Sequence, residues 1–126
     1  MRGLKYEKKV GEKISSLFPF EWKAGVWVCY LCGLEEYPLY CQLDGYLEFP
    51  DRVVLIEIKY NHCVDSYFQL MDVYLPLMKH LFLGKEISVC EVVKWYDPSV
   101  TFPVGVKLQK DLAACGVNDF SVHILN

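Results

Sequence analysis

The feature of this 126-residue chain that most constrains its fold is the run Val53-Val54-Leu55-Ile56-Glu57-Ile58-Lys59-Tyr60. Its β-branched and nearly unbroken apolar character is that of a central strand in a sheet. Inside it stand a carboxylate and an ammonium. An ion in such a place survives only if it is paired, hydrogen-bonded or bound to metal, so Glu57 and Lys59 are not incidental. Strand side chains alternate, and both therefore project from one face. Taken alone, the two also fit an ordinary strand salt bridge.

The preceding stretch, Tyr40 to Phe49, reads as the partner strand of a β-hairpin, with Pro50-Asp51 as its turn. A two-residue loop sets Phe49 against Arg52, Glu48 against Val53 and Asp44 directly opposite Glu57. The two carboxylates are then expected to share a face with Cβ atoms about 5 Å apart, near enough to bind one divalent cation and repelling one another without it. The same register gathers Leu43, Leu47, Val54, Ile56 and Ile58 on the other face. A slip of one residue would separate Asp44 from Glu57.

Around this hairpin the sequence predicts a helix from Leu4 to Phe18, with Val10, Ile14, Leu17 and Phe18 on one stripe and Pro19 at its end. A strand is expected over Trp22 to Tyr30 and a loop over Cys32 to Glu36. Asp65 is placed as the N-cap of a helix from Ser66 to Leu83 that Pro76 kinks or divides and Gly84 closes. Ile87 to Trp95 reads as another strand, Gln109 to Cys115 as a short helix, and Phe120 to Leu125 as a last strand, at an edge or added later. The fold class expected is α/β: one domain over residues 1–126, with a central mixed sheet flanked by helices.

The chain is 53% apolar and has room for one core. The N-terminal Met1 to Glu7 has no apolar run for a signal peptide, and none of the later runs approaches the roughly 20 residues a membrane span requires, so a cytoplasmic protein with no membrane partner is expected. A net charge of −3 argues against a broad basic surface. Carboxylates collected for a metal would account for part of that charge, and Lys5, Lys8, Lys9 and Lys13 offer a local basic patch. The six cysteines are read as reduced. Cys29, Cys32 and Cys41 invite a zinc reading, but residues three apart on a strand face opposite ways unless a turn begins near Tyr30, and no histidine is close. His62-Cys63 reads as a loop pair, His80 and His123 as surface or core residues, and Trp22, Trp27, Trp95 and Tyr96 as core rather than a stacking platform.

Gln42-Leu43-Asp44-Gly45, Ile56-Glu57-Ile58-Lys59 after a hairpin, and a following helix with Gln69 resemble the motifs of the PD-(D/E)XK nuclease superfamily, which includes restriction enzymes, Holliday-junction resolvases and RecB-type and lambda-type exonucleases. The resemblance covers about residues 4 to 96 and is most specific from 42 to 69. It implies a restriction-endonuclease-like core and a Mg²⁺- or Mn²⁺-dependent hydrolase of DNA phosphodiester bonds, acting in repair, recombination or the processing of mobile-element or phage DNA. Asp44, Glu57 and the main-chain carbonyl of Ile58 would bind the metal. Lys59 would orient the attacking water or stabilise developing charge. Glu7 would be the accessory acid of the first helix, with Glu12 as the alternative, and Gln69 would face the site. Leu43 replaces the proline of the family's name, a common variation. The RecB-type glutamine followed four residues later by tyrosine is not met, because Val73 is there and Tyr74 follows. Two further readings stand beside the active monomer: a catalytically inactive nuclease-fold module that binds a partner, and a subunit that gathers enough positive surface only as a homo-oligomer.

Overall fold

A computed structural model of the chain describes residues 2–31, 38–61, 70–95, 107–109 and 120–124. Helix α1 spans Arg2–Leu17, strand β1 Trp22–Tyr30, β2 Leu39–Glu48 and β3 Arg52–Asn61. A π-helical turn at Leu70–Tyr74 runs directly into α2, Leu75–Leu81, and β4 follows at Glu86–Trp95, with short β5 at Lys107–Gln109 and β6 at Phe120–Ile124. The four longer strands and two helices make a small α/β domain around a mixed, open sheet. Among the described residues the strand order is β1-β2-β3-β4-β6-β5. The first three strands form an antiparallel meander, and β3, β4, β6 and β5 pair in parallel. Phe120–Ile124 therefore lies inside the sheet, not at its edge. Gln109, expected to open a helix, ends β5, and the rest of that segment lies outside the described residues.

α1 lays Tyr6, Val10 and Ile14 on one face of the sheet, against Leu47, Val54, Ile56, Ile58, Cys90 and Val92. The π turn and α2 lay Leu70, Tyr74 and Met78 on the other, against Val28, Leu43, Val53, Leu55, Val89 and Val93. β3 and β4 are thus covered on both sides, which is why their sequences are apolar almost throughout. Lys85 ties the start of β4 to the hairpin turn, its Nζ donating to Glu48 Oε2 at 3.1 Å and to the Phe49 carbonyl at 3.0 Å.

Alternation is regular in β3 and β4 but not in β1 and β2. Trp22 packs with the α1 layer, whereas Val26 and Val28, of the same parity, belong to the α2 layer; Leu47 lies with α1 and Leu43 with α2. Both strands change phase at one row: Ala24 pairs with Gly45 and Val26 with Leu43, while the pair between them, Gly25 and Asp44, is missing from the ladder. Gly25 has φ +62°, a conformation open to glycine without strain. The expected gathering of Leu43 with Leu47 is corrected accordingly. Regular alternation would have put them together, and the backbone turn at Gly25 and Asp44 sends Leu43 to the opposite core.

Beside this row a Cβ on Gly45 would run into the Trp22 indole. Gly45→Ala is expected to destabilise by about 1–3 kcal/mol through overpacking. Urea denaturation would measure it, and the same substitution in a Trp22→Leu background should cost much less. Equal costs in both backgrounds would place the strain elsewhere.

Pro76 stands in the first turn of α2. It has no N–H to give to the carbonyl four residues before it, and the chain passes that point through the wider π turn, which takes up one extra residue. Pro76 neither ends nor divides the helical run: Tyr74 has helical backbone, the run continues to Leu81, and what changes, two residues before Pro76, is the helix type. Asp65, the helix start and the Cys32–Glu36 loop lie outside the described residues.

Candidate active site

The row where β1 and β2 change phase is also where β2 parts from β3. Their ladder runs from Glu48–Val53 to Gly45–Ile56, the register that a Pro50-Asp51 turn dictates, and goes no further. Where Asp44 with Glu57, then Leu43 with Ile58, would have continued it, the Asp44 side chain takes over: Oδ2 accepts the Ile58 N–H at 2.8 Å. A strand residue's N–H and C=O face the same neighbour, so the Ile58 carbonyl also looks into this opening.

Glu57 leaves β3 on the α2 side, between Ile56 and Ile58, which face α1. It is 7% exposed. Its Oε1 pairs with Lys59 Nζ at 3.3 Å, and its Oε2 is buried with no hydrogen-bond partner. Asp44 instead lines a cleft on the α1 side with Glu7, Lys8, Gly11, Trp22, Ala24, Gly25 and Ile58. The expectation that the two carboxylates oppose one another on one face is thereby corrected. They adjoin through the fork between β2 and β3, one from each side, because the ladder ends one pair short of them.

Of the two candidate acids on α1, Glu7 is the one brought to the site: it hydrogen-bonds Asp44 and lies within the field of Lys59, while Glu12 is exposed. Gln69 lies outside the described residues. Two residues that sequence reasoning passed over also belong here. Tyr74 is buried on the α2 side and feels the charges of Glu57 and Asp44; the π turn ends on it. Glu91 is fully buried on β4, in parallel register with Glu57, and so on the same face. A carboxylate alone in the apolar run Val89–Val93 is the same signal that singled out Glu57.

The electrostatics follow from this crowding. Burial first, and the Asp44 carboxylate second, push the Glu57 carboxyl up to about 8 against the pull of Lys59. Glu7 is raised by burial, then by the charge and hydrogen bond of Asp44. Burial and the neighbouring Glu57 push the Tyr74 phenol up to about 12, and the Cys41 thiol rises for the same two reasons. Every shift has the sign expected of a pocket that holds more negative charge than it can solvate.

Among the described residues no three His, Cys, Asp or Glu side chains converge as a ready-made metal cage. The oxygens nearest the fork are those of Asp44 and Glu57, which adjoin from opposite sides, and the Ile58 carbonyl, which faces the same opening. One of the Glu57 oxygens is buried without a donor, and that set suits a hard divalent cation that keeps several of its waters. The zinc reading finds no such support: alternation puts Cys29 and Cys41 on opposite faces, and Cys32 lies outside the described residues, as do His62 and Cys63. Trp27, expected in the core, is 66% exposed, on the strand that ends the sheet order among the described residues. Among the described residues no helix is long and apolar enough to cross a membrane.

No family model matches the sequence, and no curated protein or solved structure matches the chain. What the site can do is decided by its own residues.

Proposed function

We propose that this chain is a Mg²⁺- or Mn²⁺-dependent deoxyribonuclease of the PD-(D/E)XK type, with a restriction-endonuclease-like core. The observation that carries the reading is the fork beyond Gly45–Ile56, which turns a strand pair into a cluster of oxygen donors with Lys59 beside it. Asp44, Glu57 and the Ile58 carbonyl would hold the ion, which when bound polarises a phosphate oxygen and makes its water acidic enough to supply hydroxide. Hydrolysis adds water across one P–O bond, so the phosphorus gains a hydroxyl and the leaving sugar oxygen gains a proton. Lys59 presents a compact positive charge where the attacked phosphate becomes more negative, and Glu57 fixes its ammonium in place. Glu7 stands beside Asp44 in the cleft, while the Ile58 N–H anchors Oδ2. The extra residue of the π turn falls where Val73 and Tyr74 depart from the RecB-type spacing, and it leaves Tyr74 buried against the site, which supports the same reading.

Labelled linear duplex, circular single-stranded, branched and flap DNA, each with Mg²⁺, Mn²⁺ or EDTA, provide the test. Wild type is expected to cleave at least one of them in a metal-dependent way. Asp44→Asn keeps an acceptor for the Ile58 N–H and so keeps the fold, yet removes the charge; it should cleave at least about 10²-fold more slowly and bind Mn²⁺ more weakly by calorimetry. Cleavage that survives EDTA, or is indifferent to Asp44→Asn, would overturn the proposal. No cleavage of any substrate, with no Mn²⁺ bound, would favour the inactive binding module.

A further inference from the structure

The proposed chemistry leaves one buried carboxyl group unused. Glu91 is fully buried on β4, and so are Val89, Cys90, Val92 and Val93 on either side of it. Burial of that degree is costly for a polar side chain, and a hydrophobic residue would serve the packing as well or better. β3 and β4 run in parallel with Glu57 and Glu91 as register partners, on strands about 4.8 Å apart. Val89 and Val93, of the same parity as Glu91, pack in the α2 layer, as do Val53 and Leu55, of the same parity as Glu57. The two carboxyl groups therefore rise from one face, side by side. Two carboxylates placed so, away from water, do not both carry charge. Glu57 is the one with an ammonium against it, Lys59 Nζ at 3.3 Å from Oε1, so the charge of the pair belongs to Glu57 and Glu91 is the neutral acid. A neutral carboxyl has an O–H to donate. Glu57 Oε2, the oxygen that Lys59 does not hold, is buried without a hydrogen-bond partner.

We propose that Glu91 is a positioning residue: its carboxyl O–H donates to Glu57 Oε2 and fixes the Glu57 carboxylate in the orientation that meets the ion. The part played by the ion rests on the nuclease reading above; the hydrogen bond between the two side chains does not. A carboxylate oxygen has two lone pairs, so Oε2 can accept this bond and still face a cation. Carboxylates that ligate a metal are held in this way from behind, and loss of the group that holds them costs about 10–100-fold in metal affinity or activity. Tyr74, buried on the same side of the sheet and within the field of Glu57, carries a competing O–H. Register favours Glu91, which stands on the adjoining strand in the same row as Glu57.

Calorimetry with Mn²⁺ and single-turnover cleavage test the role, and difference infrared spectroscopy in EDTA tests the hydrogen bond without metal. Glu91→Leu is expected to fold, since its neighbours on β4 are apolar, and to bind Mn²⁺ about 10–100-fold more weakly. Glu91→Gln keeps a donor and should stay within about threefold of wild type in Mn²⁺ affinity and in cleavage, a rescue that loss of packing or of charge would not produce. Tyr74→Phe should likewise stay within about threefold. In EDTA, the spectrum of wild type minus that of Glu91→Gln should contain the carbonyl stretch of a neutral carboxylic acid, and Glu57→Gln should shift that band. Circular dichroism melts report whether each variant folds, and if Glu91→Leu does not, the infrared band and its response to Glu57→Gln decide. Glu91→Gln as damaging as Glu91→Leu, a band absent or indifferent to Glu57→Gln, or a larger loss from Tyr74→Phe than from Glu91→Leu overturns the inference. A band that responds to Glu57→Gln in a protein that binds no Mn²⁺ leaves the hydrogen bond standing and removes the nuclease reading; metal-dependent cleavage that folded Glu91→Leu leaves intact does the reverse.

Discussion

Replacing Glu57 by glutamine is expected to make the metal-free protein more stable at neutral and alkaline pH while silencing cleavage. The Glu57 carboxyl is raised from 4.5 to about 8, by burial and then by Asp44. As pH climbs above 4.5 the unfolded chain gives up this proton and the folded chain keeps it, so the folded state binds more protons and loses stability with rising pH. The loss begins near 4.5 and is complete above about 8. Every tenfold difference in proton affinity between the folded and unfolded chain corresponds to about 1.4 kcal/mol, which puts the total on the order of a few kcal/mol. Glutamine has nothing to ionise. Urea or thermal melts in EDTA from pH 5 to 9 should show wild type declining and the variant nearly flat, with a residual slope of the same sign from Glu7, which is raised as well. Mn²⁺ should restore the stability of wild type at high pH, by binding the folded form, and do little for the variant. A wild-type protein whose metal-free stability is level across this range would show that Glu57 is better solvated than its burial suggests.

The second large effect is expected from Lys59→Met. Lys59 is more than a third exposed at its side chain, so methionine fits there, and the cost to folding is confined to the ion pair that the buried Glu57 loses. Its charge nevertheless lies beside the carboxylates that would hold the ion. Single-turnover cleavage at saturating Mn²⁺ is expected to fall about 10²–10³-fold, the range for loss of one group that stabilises transition-state charge. Mn²⁺ affinity at alkaline pH should be retained or rise, since a cation next to two carboxylates has been removed. Lys59→Arg should recover little, because a planar guanidinium does not reproduce a compact ammonium. A Lys59→Met protein that cleaves within about threefold of wild type would reduce Lys59 to an ion-pair partner.

The parts of this site that are legible in the sequence are those governed by local rules. A carboxylate and an ammonium inside an apolar strand announce themselves, and a Pro50-Asp51 turn sets a hairpin register that Gly45–Ile56 through Glu48–Val53 follow. β1 begins and ends at Trp22 and Tyr30, where alternation of β-branched and aromatic residues puts it. What cannot be read depends on backbone departures that leave little trace in composition. Gly25 in a strand looks like any weak strand residue, and nothing in Asp44 says that its side chain will replace a ladder bond, so regular alternation sends Leu43 to the wrong core and the two carboxylates to one face. The π turn is equally silent, and with it the arrival of Tyr74 beside Glu57. Glu91 differs: its isolation among Val89, Cys90, Val92 and Val93 is in plain view, and only the parallel pairing of β3 with β4 gives that isolation its meaning.

The change of phase at Gly25 and Asp44 also divides how this hairpin can evolve. On one side of the row Trp22 and Leu47 fit against α1; on the other Val26, Val28, Cys41 and Leu43 fit against α2. A gain or loss of volume at Val28 is therefore compensated among residues such as Met78, on the far side of the sheet from Val10 and Ile14, and drift at Trp22 is answered by Gly45 or α1. Among related chains, substitutions along the continuous strands β1 and β2 would then co-vary in two separate sets, with the boundary running through Asp44.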